Sequence, residues 1–192
     1  MDGPAAPGRI VILNGAPRAG KSSLARAIQQ GPGSWIVWGV DGFNAALPEA
    51  LRPGIGLRPG GERPDLEPMV ARLYRGYFAA LAALAHEGLD VVADLGLHAD
   101  YAAPFDPVGI LREALAGLDV LFVGIDCAVK TVMARRNADP RDGFYAAGPG
   151  VPAPVARWQS AVHRGHDYDL RLDMGMLTPQ EGAARIFACL RE

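Results

Sequence analysis

Apolar residues in this chain fall into short runs, and between the runs they recur at helical spacing. Four runs, at 9–14, 35–40, 89–94 and 119–125, are apolar almost without interruption. That is the pattern of strands whose sheet is covered on both faces. A fifth run, 168–173, alternates: Tyr168, Leu170 and Leu172 stand against Asp169, Arg171 and Asp173. Alternation of this kind predicts an edge strand. Between the strands, residues 66–87 repeat apolar side chains at helical intervals, among them Leu66, Val70, Leu73, Tyr77 and Leu81, and Gly88 closes the run. The aromatic stripe Tyr74, Tyr77 and Phe78 on this helix reads as core packing. Further helices are expected at 22–30, 43–50, 107–116, 128–137, 154–164 and 178–191. Strands alternating with helices predict an α/β protein with a parallel sheet between two helical layers.

Two stretches interrupt the alternation. Residues 52–68 and 139–154 are crowded with proline and glycine and cannot be element interiors. Neither is flanked by a complete second core, so neither is a domain linker, and residues 1–192 are expected to form one domain. Long loops in such a fold can serve as lids over a substrate, and each stretch carries arginine. The alternative is a pair of plain surface loops.

Composition narrows the class. A length of 192 residues, 49% of them apolar, is ample for one core. A net charge of −2 supplies no basic field for nucleic acid. No apolar stretch reaches membrane-spanning length, so no membrane association is expected. Two cysteines, Cys127 and Cys189, are too few for a disulfide framework and read as buried thiols. A cytoplasmic location is the corresponding expectation; homo-oligomerisation is left open.

The chemistry is concentrated at the end of the first strand. Gly15, Ala16, Pro17, Arg18, Ala19, Gly20, Lys21 and Ser22 fit the pattern G-x-x-x-x-G-K-[ST] without a mismatch, between a strand and a helix. Glycine at 15 and 20 lets the backbone turn its N–H groups inward, and the following helix points its positive end at the same place. Lys21 adds a cation for the outer phosphates, and Ser22 offers a hydroxyl to Mg²⁺. The implied ligand is a nucleoside triphosphate with Mg²⁺. An [NT]-K-x-D motif is absent, which weighs against a GTPase switch.

In open parallel sheets ligands bind beyond the carboxyl ends of the strands, so polar residues ending the strands are candidates. Asp41, placed at the end of the second strand, is the candidate to orient an acceptor hydroxyl and take its proton, with capping of a helix near Phe43 as the alternative. Asp94, ending the third, could hold Mg²⁺ through water, or cap a loop. Asp126, ending the fourth, reads better as the N-cap of the next helix. Arg135, Arg136 and Arg141 flank the second lid, where an arginine could stabilise a transferring phosphoryl group, Arg141 or Arg135 first, with ordinary surface arginine as the alternative. His163 and His166 form a loose H-x-x-H with no third ligand, and read as structural or substrate-lining rather than metal-binding.

These landmarks together resemble the chloramphenicol phosphotransferase family. The resemblance runs through Ile12 to Gly15 and the phosphate loop, Gly39-Val40-Asp41, Asp94 after its strand, Leu118 to Gly124, and Val162 to Asp169, which is similar to the family's V-H-x-G-x-x-Y-D segment. It implies a P-loop kinase fold with a five-stranded parallel sheet. It also implies ATP-dependent phosphorylation of a small-molecule hydroxyl, with chloramphenicol or a related compound as acceptor. By the same resemblance Asp41 is the catalytic base, Gly15 to Ser23 bind ATP and Mg²⁺, and Arg135 and Arg141 match lid arginines. One departure is that Asp94 is followed by Leu95, where the family has two adjacent acids. Lids set acceptor choice, and both lid regions are rich in proline and glycine. A kinase for another metabolite, sugar or nucleotide therefore stands as the alternative, beside a non-catalytic ATP-binding sensor.

Overall fold

The structure is a computed structural model and describes residues 6–52, 57–60, 63–139 and 150–190. Five parallel strands form one sheet: β1 (Ile10–Gly15), β2 (Trp35–Val37), β3 (Asp90–Leu95), β4 (Val120–Asp126) and β5 (Leu170–Asp173). Their order is β2-β3-β1-β4-β5. Every residue of the central strand β1 is buried. Ile10 and Ile12 join a core on one face, while Val11 and Leu13 join a core on the other. That two-sided burial is why the run is apolar without alternation.

Helices α3 (Glu67–His86) and α4 (Pro107–Ala114) cover the first face, and α1 (Lys21–Gln29) and α7 (Pro179–Cys189) the second. Tyr74, Tyr77 and Phe78 of α3 are fully buried, as the stripe predicts. Local chemistry sets the helix ends. Asp106 accepts hydrogen bonds from the Val108 and Gly109 amides ahead of α4, and Thr178 and Glu181 cap α7 reciprocally. Gly88, at φ 80°, follows α3 in the left-handed conformation that glycine adopts most readily. Helices α5 (Val129–Ala138) and α6 (Ala153–Ala161) lie along the β4–β5 connection.

Five expectations are corrected. The second strand stops at Val37 rather than at residue 40, and the helix expected at 43–50 is α2 (Val40–Ala45). Trp38 makes one more ladder bond, its amide to the Val92 carbonyl at 3.0 Å, and Gly39 then leaves the sheet in an extended conformation. Val40 and Phe43 turn onto the core, and Pro48, which lacks an amide proton, keeps the helix from continuing. Asp41 is therefore in the first turn of α2, not on a strand. Asp126 does not cap α5, whose N-cap is Ala128. Its carboxylate accepts from Arg171 at 2.6 and 3.0 Å. β2 is also an edge strand, although its run does not alternate.

Of the stretch 52–68, the described parts pack onto the body. Leu57 is in the core, bonded through its carbonyl to the buried His98 imidazole, and the Gly60 amide donates to the Asp100 carbonyl at 3.2 Å. Residues 53–56, 61, 62 and 140–149, including Arg141, lie outside the described residues.

Two glycines make opposite predictions. A Cβ on Gly124 in β4 would come 2.8 Å from the ring of Tyr168, whose hydroxyl is anchored. Gly124→Ala should lower stability by about 1–3 kcal/mol, the usual cost of overpacking. Gly76, in the middle of α3, has nothing within 4 Å of an added Cβ. Gly76→Ala should gain up to ~1 kcal/mol from helix propensity. Urea denaturation of the two variants measures both signs.

Candidate active site

The phosphate-loop sequence occupies the carboxyl end of the sheet between β1 and α1. Gly15 pairs with Ile125, and a Cβ there would fall 2.5 Å from the Ile125 carbonyl oxygen. Only glycine lets the chain leave the strand this close to β4. Gly20 is the N-cap of α1 at φ 112°, again a glycine conformation, and no side chain caps the helix. The first-turn amides are thus left for an anion. Arg18 is the one described non-glycine residue at positive φ, 66°.

The loop is braced on two sides. Arg18 donates to the Asp139 carboxylate at 3.1 Å and to the Asp139 carbonyl at 2.6 Å. Arg135, from α5, donates to the carbonyls of Arg18 at 3.2 Å, Ala19 at 2.9 Å and Met174 at 2.6 Å. Its guanidinium is thereby committed to backbone oxygens of the loop and of the turn after β5. Behind the loop, fully buried Asn14 accepts from the Leu97 amide at 2.6 Å. Its Nδ2 donates to the Val162 carbonyl at 3.0 Å and to the Tyr168 hydroxyl at 2.8 Å. Trp158 of α6 packs against Ala16 and Val162 and lies over Gly96, where a Cβ would meet its ring at 2.9 Å.

At the mouth, Lys21 Nζ donates to the Ala16 carbonyl at 2.9 Å. The Ser22 hydroxyl donates to the Asp94 carboxylate at 2.6 Å. Burial lowers the pKa of Lys21, and the charges of Asp94 and Asp41 act against that shift. Gly39 brings the start of α2 against Asp94. Its backbone is so close to Asp94 that a Cβ would lie 1.6 Å from Asp94 Oδ1. Asp41 follows two residues later, exposed in the first turn of α2 and making no cap, since Gly39 is the N-cap. Trp38, Phe43 and Tyr77 form an edge-on aromatic cluster beside it, and the Tyr77 hydroxyl donates to the Trp38 carbonyl. Burial, then the charges of Asp94, Tyr74 and Asp41, raises the Tyr77 pKa well above its ordinary value, so it stays a neutral donor.

The structure thus joins the loop Gly15 to Ser23 to Asp94 through Ser22, sets Asp41 near enough for its charge to act on Lys21, and uses Arg135 to brace the loop. Arg136 is buried, not on the surface. His163 and His166 do not converge on a common site: His163 faces Tyr168 and Asp126, and His166 faces the Leu97 carbonyl. Sequence reasoning gave no role to Asn14, Gly39 or Tyr168. Asn14 carried a usable signal, as a polar side chain ending the most apolar strand.

The sequence matches the family described as chloramphenicol phosphotransferase-like protein over residues 8–191. The chain belongs to that family. Among solved structures it is similar to the APS kinase of Mycobacterium tuberculosis in complex with AMPPNP and APS, with 19% identity, TM-score 0.63, and coverage of 97% of this chain and 99% of that one. It is also similar to the tunicamycin resistance protein of Deinococcus radiodurans (18% identity, TM-score 0.61, 95% of each chain). A third is the shikimate kinase of Acinetobacter baumannii in complex with shikimate (13%, TM-score 0.60, 96% and 93%). These likenesses show the P-loop kinase fold. No curated protein matches the chain. Membership of the chloramphenicol phosphotransferase-like family, on this fold, indicates a small-molecule phosphotransferase. No helix among the described residues is long and apolar enough to cross a membrane.

Lys21 yields a stability prediction. Its folded pKa lies below its unfolded one, so between the two values the unfolded chain binds more protons. Stability rises with pH across that window, and at neutral pH the charged ammonium costs stability. Lys21→Met should therefore unfold at an equal or higher temperature than the wild type at neutral pH. A lower midpoint in a thermal melt would mean that attraction to Asp94 and Asp41 outweighs burial.

Proposed function

We propose that the protein transfers the γ-phosphate of ATP to a hydroxyl group of a small molecule, with Mg²⁺ as cofactor. The observation that carries this reading is the Ser22–Asp94 contact of 2.6 Å next to Lys21, on whose ammonium the charges of Asp94 and Asp41 act. A hydroxyl and a carboxylate, both hard oxygen donors, suit a cation that keeps most of its water. The open amides of α1 and the glycine conformations at 15 and 20 suit a polyphosphate. Gly15 to Ser23 would bind the nucleotide, and Ser22 and Asp94 would hold the cation. Mg²⁺ there would offset negative charge on the phosphates.

The remaining groups divide the work of transfer. Lys21 neutralises charge on the outer phosphates. Arg135 keeps the loop's carbonyls turned away from the anion, so that its amides face it. Asp41, free of capping duty, accepts a hydrogen bond from the acceptor hydroxyl. A carboxylate is too weak a base to remove an alcohol proton beforehand. It aligns the oxygen and takes the proton as the new O–P bond forms and the bond to the ADP oxygen breaks. Arg141, outside the described residues, is our further candidate for contact with the transferred group.

Chloramphenicol is our leading acceptor, on the strength of family membership. Incubation with Mg·ATP and chloramphenicol should give a singly phosphorylated product by mass spectrometry. Asp41→Asn should lower turnover by about 10²–10⁴-fold while leaving ATP affinity unchanged. Turnover confined to a panel of other alcohols would remove the antibiotic as acceptor and keep the chemistry. Wild-type turnover in Asp41→Asn would remove Asp41 as base.

Gly39→Ala tests the cation site separately. Its methyl group displaces the Asp94 carboxylate, so the Mg²⁺ concentration needed for half-maximal rate should rise. An unchanged Mg²⁺ dependence would take Asp94 out of the site.

A further inference from the structure

The segment Val162–Asp169 takes no part in the chemistry above, yet a continuous line of polar contacts ties it to the root of the phosphate loop. The Tyr168 hydroxyl lies 2.8 Å from Asn14 Nδ2 and 2.8 Å from His163 Nδ1. His163 Nε2 lies 3.5 Å from Asp126 Oδ1, and Asp126 is paired with Arg171 at 2.6 Å. The reach is built into the sheet. Gly124 is the register partner of Asn14, and the ring of Tyr168 lies flat on it where any side chain would collide.

Counting donors gives the line a direction. The Leu97 amide donates to Asn14 Oδ1, so Nδ2 faces Tyr168 and can only donate. The tyrosine oxygen accepts from Asn14, and its single proton goes to His163 Nδ1 at 2.8 Å in preference to the Val162 carbonyl at 3.3 Å. The proton of neutral His163 is then on Nε2, toward Asp126. A second proton on the imidazole reverses the middle of the line. Nδ1 becomes a donor to Tyr168, whose own proton must turn to the Val162 carbonyl. That carbonyl then takes a second bond beside the one from Asn14 at 3.0 Å, and the tyrosine oxygen must accept from Asn14 and from the imidazolium together, so its hold on the Asn14 amide is shared and weaker.

The groups acting on His163 are Asp126 and the Ile125 backbone from β4, Arg171 from β5, and His166 and Tyr168 from its own connecting segment. Burial lowers its pKa most; Asp126 and the Ile125 backbone oppose this, while Arg171 and His166 add to it. Burial pushes the Tyr168 hydroxyl up to about 12, so it remains a proton donor.

We propose that Tyr168 and His163 are positioning residues for the phosphate loop. The neutral imidazole, acting through the Tyr168 hydroxyl, holds the Asn14 amide and with it Gly15 in the geometry that binds nucleotide. Protonation of His163 loosens that hold. The proposal rests on the nucleotide-binding reading given above.

Calorimetric titration with Mg·ATP between about pH 8 and about pH 5.5, spanning the imidazole range, tests it. Wild-type affinity should fall by about three- to tenfold toward the acid side, a weakening on the scale of one hydrogen bond as the Tyr168 oxygen comes to serve two donors. Protonation of the nucleotide itself is common to every variant and cancels in the comparison. Tyr168→Phe keeps the ring on Gly124 but cuts the line, so affinity should be lower by a similar factor and carry no His163 limb. His163→Asn puts a non-titrating acceptor where Nδ1 stood. It should keep the alkaline wild-type affinity down to the acid end, whereas His163→Leu should behave as Tyr168→Phe. A wild-type pH limb surviving in Tyr168→Phe or in His163→Asn would overturn the proposal. Melting curves accompany each titration, and if Tyr168→Phe does not fold, the His163→Asn profile decides. A wild-type protein that binds no Mg·ATP at any pH would remove the nucleotide reading and the proposal with it.

Discussion

A carboxamide cut off from water must find a partner for each polar atom, because an unmet one costs about 1–3 kcal/mol. Asn14 ends β1 in that position and finds its partners on three separate segments: Leu97 after β3, Val162 after α6, and Tyr168 before β5. None of these is near it in sequence. The fold must bring all three to the carboxyl end of the central strand, one residue before the chain turns into the phosphate loop. The same requirement that satisfies a buried amide therefore sets where that loop begins.

The rest of the site is arranged around that root by close approach of backbones. Gly15 lets the loop depart against Ile125, Gly39 lets α2 start against Asp94, and Gly96 makes room for Trp158. In each case the glycine matters for the space its hydrogen leaves. Asp94 and Asp41 come from different elements, and Gly39, two residues before Asp41, packs directly against the Asp94 carboxylate. The acidic groups that would face the nucleotide and the acceptor are thus placed by the sheet and one short helix.

Much of this was legible in the sequence. Two-sided burial wrote itself into β1, β3 and β4 as unbroken apolar runs, and the one wet face of β5 into alternation. The loop motif, between strand and helix, marked the site. The second strand extends too far in the sequence reading because Trp38 and Val40 are apolar for a different reason: they pack against the core that α3 shares, on either side of the point where the chain leaves the sheet. That error put Asp41 on a strand and the following helix three residues late. Asp126 looked like a cap because aspartate often is one, and nothing local announces a partner 45 residues away in Arg171. Arg135 read as a phosphate ligand because its type and place allowed it. That its donors go to loop carbonyls is a property of the assembled fold. Contacts between distant segments, such as those of Asn14, leave only a polar residue in an apolar run as their trace.

Arg18 sits in a backbone conformation that a side chain disfavours, at a cost on the order of 1–3 kcal/mol, and contacts within the chain itself brace it there. Its guanidinium is fastened to Asp139 and its carbonyl to Arg135. A loop shaped in this way has lost its conformational freedom during folding, not during association. An incoming anion would meet amides already aimed, and the affinity would not be diminished by the entropy of organising them. The protein accepts a slightly less stable resting state, and the encounter itself can then be close to rigid.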